Sequence, residues 1–505
     1  MSRDSISRER LEAPPGQVYA ETVLEPGYRF MLEHYFHPLV ETNLAWVAML
    51  VDTGIVAEET GARLLEALAE LEREGPEALG GFDPRYEYFY SHMEQWLIER
   101  VGEEVAGEIN IGRTRPEPLT RMVMRERLLD LTDGVAGLAG TLLDIAGQET
   151  ETVMPQWTHF QHAQLSSLGH YLVGIVNALE RDVARLLAAH ETTDRCTLGC
   201  GALAGTTNAV DRDQVARLLG FAGVRENTID AVSGGDYALE AAAAVANLMV
   251  TLSRVCQDLY IWSTEEFGLV VIADEFAGSS SMMPQKKNAY PFEYVRARAG
   301  HAIGESTAAF GSLHNTNYQD IKDVEEEMVP PVLRTVDEAS RSIRLLEGTI
   351  ATMEIRRERM LEQAGGGFAA ATELAAMIHR RTDLSARTAH RVVGNLVLRA
   401  SKRGLTGRDV DLALVDESAR EILGHGLDGV DEDAVRTAMD PRGFIEAHDV
   451  PGGPAPARVR EAIGSARERL EAHGRTPVRE ARERRAAARR ALDELCTQRR
   501  KAVVR

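Results

Sequence analysis

Between Ala277 and Glu293 the chain carries three serines, two lysines, an asparagine and a carboxylate. Gly278 and Pro284 both break helices, so this run is expected as a loop rather than an ordinary helix. Its hydroxyls, fixed positive charge and amide donor suit the binding and deprotonation of a substrate that bears a carboxylate. A polar surface loop is the plain alternative for any Ser/Lys segment.

Three further polar clusters could act with it. Gly112-Arg113-Thr114-Arg115 is a glycine turn presenting two guanidiniums, which grip carboxylates in bidentate fashion, although a surface salt bridge would use the same residues. Pro155 to Gln164 is expected as a Pro-marked loop that brings Thr158, His159, Gln161 and Gln164 together at a helix entry, where a histidine could transfer a proton or be merely structural. Asn317 to Glu325 is polar and charged, and reads either as a substrate-side wall or as a solvated helix start.

Long helices must hold these clusters. Leu128, Leu131, Val135, Leu138, Leu142 and Ile145 recur at steps of three and four. So do Leu165, Leu168, Leu172, Ile175, Leu179, Val183 and Leu186, and then Val245, Leu248, Met249, Leu252, Val255 and Leu259. Seams of this length need partners, and Ala241 to Ala244 would let neighbouring helices approach closely. No run of period two competes, and the fold class is all-α. The expected organisation is an N-terminal helical domain over 1–112 and a central long-helix bundle carrying the serine loop over 113–362. A C-terminal helical domain over 363–475 and a basic helical or disordered tail over 476–505 complete it. The tail could touch an acidic partner or the acidic body of the protein, or be a solvated helix with internal Glu/Arg pairs.

The composition is that of a globular protein, with 44% hydrophobic and 27% charged residues among 505. No apolar run follows the polar start, no segment is expected to reach the length of a membrane span, and the cytoplasm is the expected compartment. A net charge of −21 argues against nucleic acid as a partner. Cys196 and Cys200 are four apart with no second Cys/His pair nearby, so no metal site is expected.

In order and spacing, these clusters resemble the aspartase/fumarase superfamily, and within it argininosuccinate lyase. The superfamily loop Gly-Ser-Ser-x-Met-Pro-x-Lys-x-Asn is matched by Ser280, Ser281, Met283, Pro284, Lys286 and Asn288. Ser279 stands in the glycine's place and Gly278 one residue earlier. Gly201 to Gly205, Asp258 to Ser263, Glu265 to Gly268 and Val450 to Gly453 agree as well, so the resemblance spans about residues 20 to 472.

The resemblance implies a homotetramer whose long helices form a 20-helix core. Each site is then assembled from three subunits that supply the Arg cluster, the Thr-His cluster and the serine loop. It implies anti elimination of an amine or hydroxyl from a succinyl group, giving fumarate, with a small dicarboxylate or amine as substrate and no cofactor or metal. Proton loss beside a carboxylate builds a dianionic intermediate that survives only among preorganised donors and cations. Lys286, Asn288, Thr114 and Arg115 fit that role. The family pattern makes Ser280 the base, with Ser281 its rival because of the shifted glycine. His159, beside Thr158 and oriented by Glu293, would protonate or position the leaving amine. Arg113, Gln164, Tyr88, Asn317 and Lys322 complete the expected substrate contacts.

The departures concern the leaving group. Where argininosuccinate lyase reads Gly-Arg-Ser-Arg-Asn-Asp-Gln, this chain reads Gly112-Arg113-Thr114-Arg115-Pro116-Glu117-Pro118. The family's Asp-Ile-His becomes Tyr88-Phe89-Tyr90, and the Tyr, Gln and Lys of the fourth cluster become Asn317, Lys322 and Glu325. The expected function is therefore a carbon–nitrogen lyase releasing fumarate or a similar product and an amine other than arginine. True argininosuccinate lyase activity is the enzymatic alternative. A silent structural relative should have lost the base or the His–Glu pair, and both are present.

Overall fold

The computed structural model describes residues 11, 13–114 and 118–503. Three elongated helices carry the predicted seams: α4 (Leu119–Gln148), α5 (Leu168–Thr193) and α6 (Asp236–Trp262), preceded by α1 (Glu25–Asp52), α2 (Glu58–Glu74) and α3 (Phe89–Val101). Two more, α7 (Tyr290–Leu313) and α8 (Val329–Thr352), complete the bundle. Leu128, Leu131, Val135, Leu138 and Leu142 of α4 are buried against Leu172, Leu179 and Leu186 of α5 and Val245, Leu248 and Leu252 of α6 in one continuous core. Ser167 accepts a bond from the His170 N–H (3.1 Å) and so starts α5, while prolines at the first positions of α8 need no donor there.

A second core unites α1 (Glu25–Asp52), α2 (Glu58–Glu74) and α3 (Phe89–Val101) around Trp46, Leu64, Leu68 and Met93. A third gathers Leu374, Ile378, Leu396, Val415, Val435 and Phe444 from the short helices between Arg357 and Ala447. The last helix, α9 (Thr476–Val503), returns to the front of the chain and buries Leu492 and Cys496 in the second core.

Two expectations are corrected. Pro155 to Gln164 is not a loop but an antiparallel hairpin, β1 (Val153–Thr158) and β2 (Gln161–Ser167), so Leu165 belongs to a strand and the second seam begins at Leu168. The pairing shifts register between Pro155 and Trp157, an irregularity that lets a proline sit in a strand. The second correction concerns α6, which is long and apolar enough to cross a membrane by length and composition, contrary to the expectation of no such segment. Half of that window is buried, because an Ala-rich helix packed among α5, α7 and α8 has apolar residues on several faces.

Candidate active site

The serine loop is built on a ribbon of two short strands. β3 (Gly278–Ser279) pairs antiparallel with β4 (Lys287–Asn288), matching Gly278 with Asn288 and Ser279 with Lys287. Lys287 is tied by Asp274 at 2.6 Å. Beyond the ribbon, Ser280 Oγ accepts the backbone N–H of Met283 (3.0 Å) and of Met282 (3.4 Å), whereas Ser281 is exposed. Donors aimed at a hydroxyl oxygen favour its anionic form, which suits Ser280 to the base role. Lys286 Nζ donates to Asn288 Oδ1 at 2.5 Å, and Asn288 Nδ2 donates to the Gly278 carbonyl at 3.1 Å. Cation, amide and hydroxyl thus hang from one ribbon.

Glu293 lies in the first turn of α7 and accepts a bond from the Tyr260 hydroxyl at 3.2 Å. Desolvation, and then the Glu293 carboxylate, hold that phenol above its ordinary value. The expected Glu293 contact to His159 is not made within the chain: among the described residues no hydrogen bond joins them. His159 instead occupies the tip of the β1–β2 hairpin, where it and Phe160 both have positive φ (54° and 59°). Thr158, His159, Phe160 and Gln161 are all exposed there, and Gln164 Nε2 donates to Thr372 at 3.3 Å. Trp157 anchors the hairpin against Trp262 at the end of α6, with ring centroids 6.0 Å apart.

The other predicted groups meet at the opposite end of the bundle. Tyr88, Arg113, Thr114 and Lys322 line one cavity of about 750 Å³, together with Tyr237 at the start of α6 and Val329 at the start of α8. Lys322 lies 5.2 Å from the Tyr88 ring centroid and 2.7 Å from Glu326. Burial, then Glu87, raises the Tyr88 phenol, and the Lys322 ammonium opposes them. Asn317 is exposed and does not line the cavity, and Arg115 lies outside the described residues.

Sequence reasoning missed the residues that hold Arg113. Its Nη2 donates to Asn43 Oδ1 (2.5 Å) and to the Tyr90 hydroxyl (2.9 Å). Tyr90 in turn donates to Asn110, and Asn110 to Glu94. Nε and Nη1 of Arg113 are buried without a hydrogen-bond partner among the described residues, a costly state for a cation that an anionic ligand would relieve. The available signals were Asn43, an amide directly before the apolar run Leu44 to Val51, and Tyr90, already a departure from the family pattern.

From Tyr237 in the cavity to Trp262 behind the hairpin is 25 residues of helix, or about 38 Å at 1.5 Å per residue. The arginine cluster and the histidine hairpin of one chain therefore cannot share a substrate.

Comparison with known proteins decides the family. The chain matches a family model described as lyase over residues 44–304, and one described as argininosuccinate lyase C-terminal over 368–446. It is 38% identical to the argininosuccinate lyase of Methanothermobacter thermautotrophicus over 85% of this chain and 92% of that protein. With the argininosuccinate lyase of Methanosphaerula palustris it shares 39% identity over 89% and 90%. The chain belongs to the argininosuccinate lyase family. It is a carbon–nitrogen lyase of the fumarase/aspartase superfamily. Among solved structures, the lyase resembles EDDS lyase in complex with formate, at 29% identity, a TM-score of 0.86 and 97% coverage of both chains. It shares its fold with a class II fumarase from Schistosoma mansoni, at 16% identity, a TM-score of 0.67 and 82% and 91% coverage.

Proposed function

We propose that this lyase eliminates an amine from an N-substituted succinate, releasing fumarate, in sites that a homotetramer assembles. The observation that carries the reading is the separation of the two half-sites. The serine ribbon and the histidine hairpin belong to one end of the bundle, and the Arg113–Thr114 cavity to the other. Antiparallel association of long bundles brings an end of one chain to the other end of its neighbour.

In such a site Ser280 takes the proton from the carbon beside the succinyl carboxylate. The electron pair left behind forms the C=C bond as the C–N bond breaks. Lys286, Asn288, Thr114 and Arg115 stabilise the dianion, and Arg113, with unpaired donors, adds positive charge near a carboxylate. His159 delivers a proton to the departing nitrogen, with Glu293 of a neighbouring copy available to orient its ring.

The curated relatives favour argininosuccinate as the substrate, ahead of the amine other than arginine that the altered cluster residues raised. One observation keeps that second reading: Lys322, ion-paired with Glu326, stands in the same cavity as Tyr88 and Arg113, a wall altered from the family pattern that holds the arginine end. Purified protein given argininosuccinate, and separately fumarate with a panel of amines, decides between them. Fumarate appearing from argininosuccinate supports the first, and N-succinyl adducts with other amines but no argininosuccinate cleavage support the second. Absence of both sinks the lyase reading for this chain. Mixing inactive Ser280→Ala and Arg113→Ala chains by refolding together should restore part of the activity, because some sites then receive an intact ribbon end from one chain and an intact cavity end from the other. No recovery would count against sites shared between subunits.

A further inference from the structure

The displaced glycine of the serine loop has a partner. A side chain placed on Gly278 would meet the ring of Tyr290 at 1.9 Å (Cε2), 2.1 Å (Cδ2) and 2.6 Å (Cζ). Gly278 does not have a positive φ, so what this position requires is the absence of a side chain, not backbone freedom. The Tyr290 ring lies directly on the Gly278 backbone and closes the β3–β4 ribbon at the pair where it begins. That pair is Gly278 with Asn288, and the Asn288 amide donates both to the Gly278 carbonyl (3.1 Å) and to the Tyr290 hydroxyl (3.4 Å). Asn288 also holds Lys286. Two paired residues per strand are too few to fix a register by themselves, and a slip of one residue would reverse which side chains face the substrate.

We infer that Tyr290 is a positioning residue: its ring, seated on Gly278, sets the register of the ribbon and through it the places of Ser280, Lys286 and Asn288. This rests on the reading of that ribbon as the carrier of the base. It accounts for the shifted glycine. With tyrosine at 290, the bare backbone has to lie at 278, one residue before the superfamily position, while Ser280 and Ser281 keep theirs. Tyr290 is 40% exposed, so its ring is not needed as core filling.

The test pairs the two residues. Tyr290→Phe keeps the ring and should leave kcat within about threefold, whereas Tyr290→Ala should lower kcat about 10- to 100-fold with little change in KM, the size of loss a displacement near 1 Å produces. Gly278→Ala should lower it at least as far. Removing the obstacle in Gly278→Ala/Tyr290→Ala should recover activity over Gly278→Ala alone, to about the level of Tyr290→Ala. Amide hydrogen exchange of Ser279 and Lys287 reads the same ribbon without any substrate. It should quicken in Gly278→Ala and slow again in the double variant, with an unchanged unfolding temperature showing that the fold is intact. A double variant no better than Gly278→Ala in exchange, or Tyr290→Ala equal to the parent in both kcat and exchange, overturns the inference. A parent protein inert toward every substrate, with the exchange pattern as stated, removes the lyase reading and leaves the clasp standing.

Discussion

At the level of single residues, chemistry here depends on which lone pairs are engaged. Ser280 Oγ receives two backbone N–H groups and Ser281 is exposed, so Ser280→Ala should cost about 10²–10⁴ in kcat and Ser281→Ala far less, measured by fumarate release. If the larger loss follows Ser281→Ala, the base is one residue later. His92 offers a different test. Its Nε2 accepts the Asp83 N–H at 3.0 Å and its Nδ1 faces the Tyr88 carbonyl at 2.9 Å, a pairing only the neutral ring can make. Burial lowers its pKa, as it does for His162 and His190. The unfolded chain then takes up protons first as pH falls below about 6.5, so stability is full above that value and is lost on acidification. Unfolding temperatures should drop from pH 7.5 to pH 5.5, and His92→Gln should shallow that slope. The serines, lysines and arginines of the site were legible because their types and order carry the chemistry. The reason for Gly278 was not, because it lies in a ring twelve positions onward.

Among the elements, the three long seams could be read from spacing, since each apolar residue reports its own face of a helix. The β1–β2 hairpin could not. A two-residue turn with both φ values positive normally advertises itself with Asn-Gly or Asp-Gly, and this one is made of His159 and Phe160. A left-handed backbone costs an ordinary residue roughly 1–2 kcal/mol, borne here by the residue expected to protonate the amine and by its neighbour. Phe160→Val should therefore lower the unfolding temperature and Phe160→Asn should not, because a β-branched side chain tolerates that conformation worst and asparagine tolerates it well. Equal unfolding temperatures for the two would mean that the turn relaxes without penalty.

Over the whole molecule, the basic tail is part of the body. Arg482 of α9 pairs with Asp130 and Asp133 of α4 (2.7 and 3.1 Å), and Arg489 with Glu72 of α2 (2.7 Å). Arg484 joins Arg125 on the buried Asp194. Partners several hundred residues apart leave no local pattern, which is why the sequence alone offered both a docked and a solvated tail. Asp194→Ala removes the nearest carboxylate from the buried Arg125, leaving it Glu126 at 3.8 Å, and should destabilise by about 3 kcal/mol. Asp130→Ala, at the surface, should cost about 1 kcal/mol or less. Thermal unfolding of the two variants compares them, and equal shifts would refute the distinction.

The same strap has a consequence for how the protein is made. Arg499 reaches back to Glu58 across 441 positions. At about 5–20 residues per second, a ribosome needs roughly 20–90 s to travel that distance. The apolar seat that Leu492 and Cys496 will fill on the first helices is therefore left open through most of synthesis. A nascent chain must keep that surface from sticking elsewhere, and a message cut short near its end yields a protein that never covers it. Quality control could tell finished chains from unfinished ones by that uncovered patch alone.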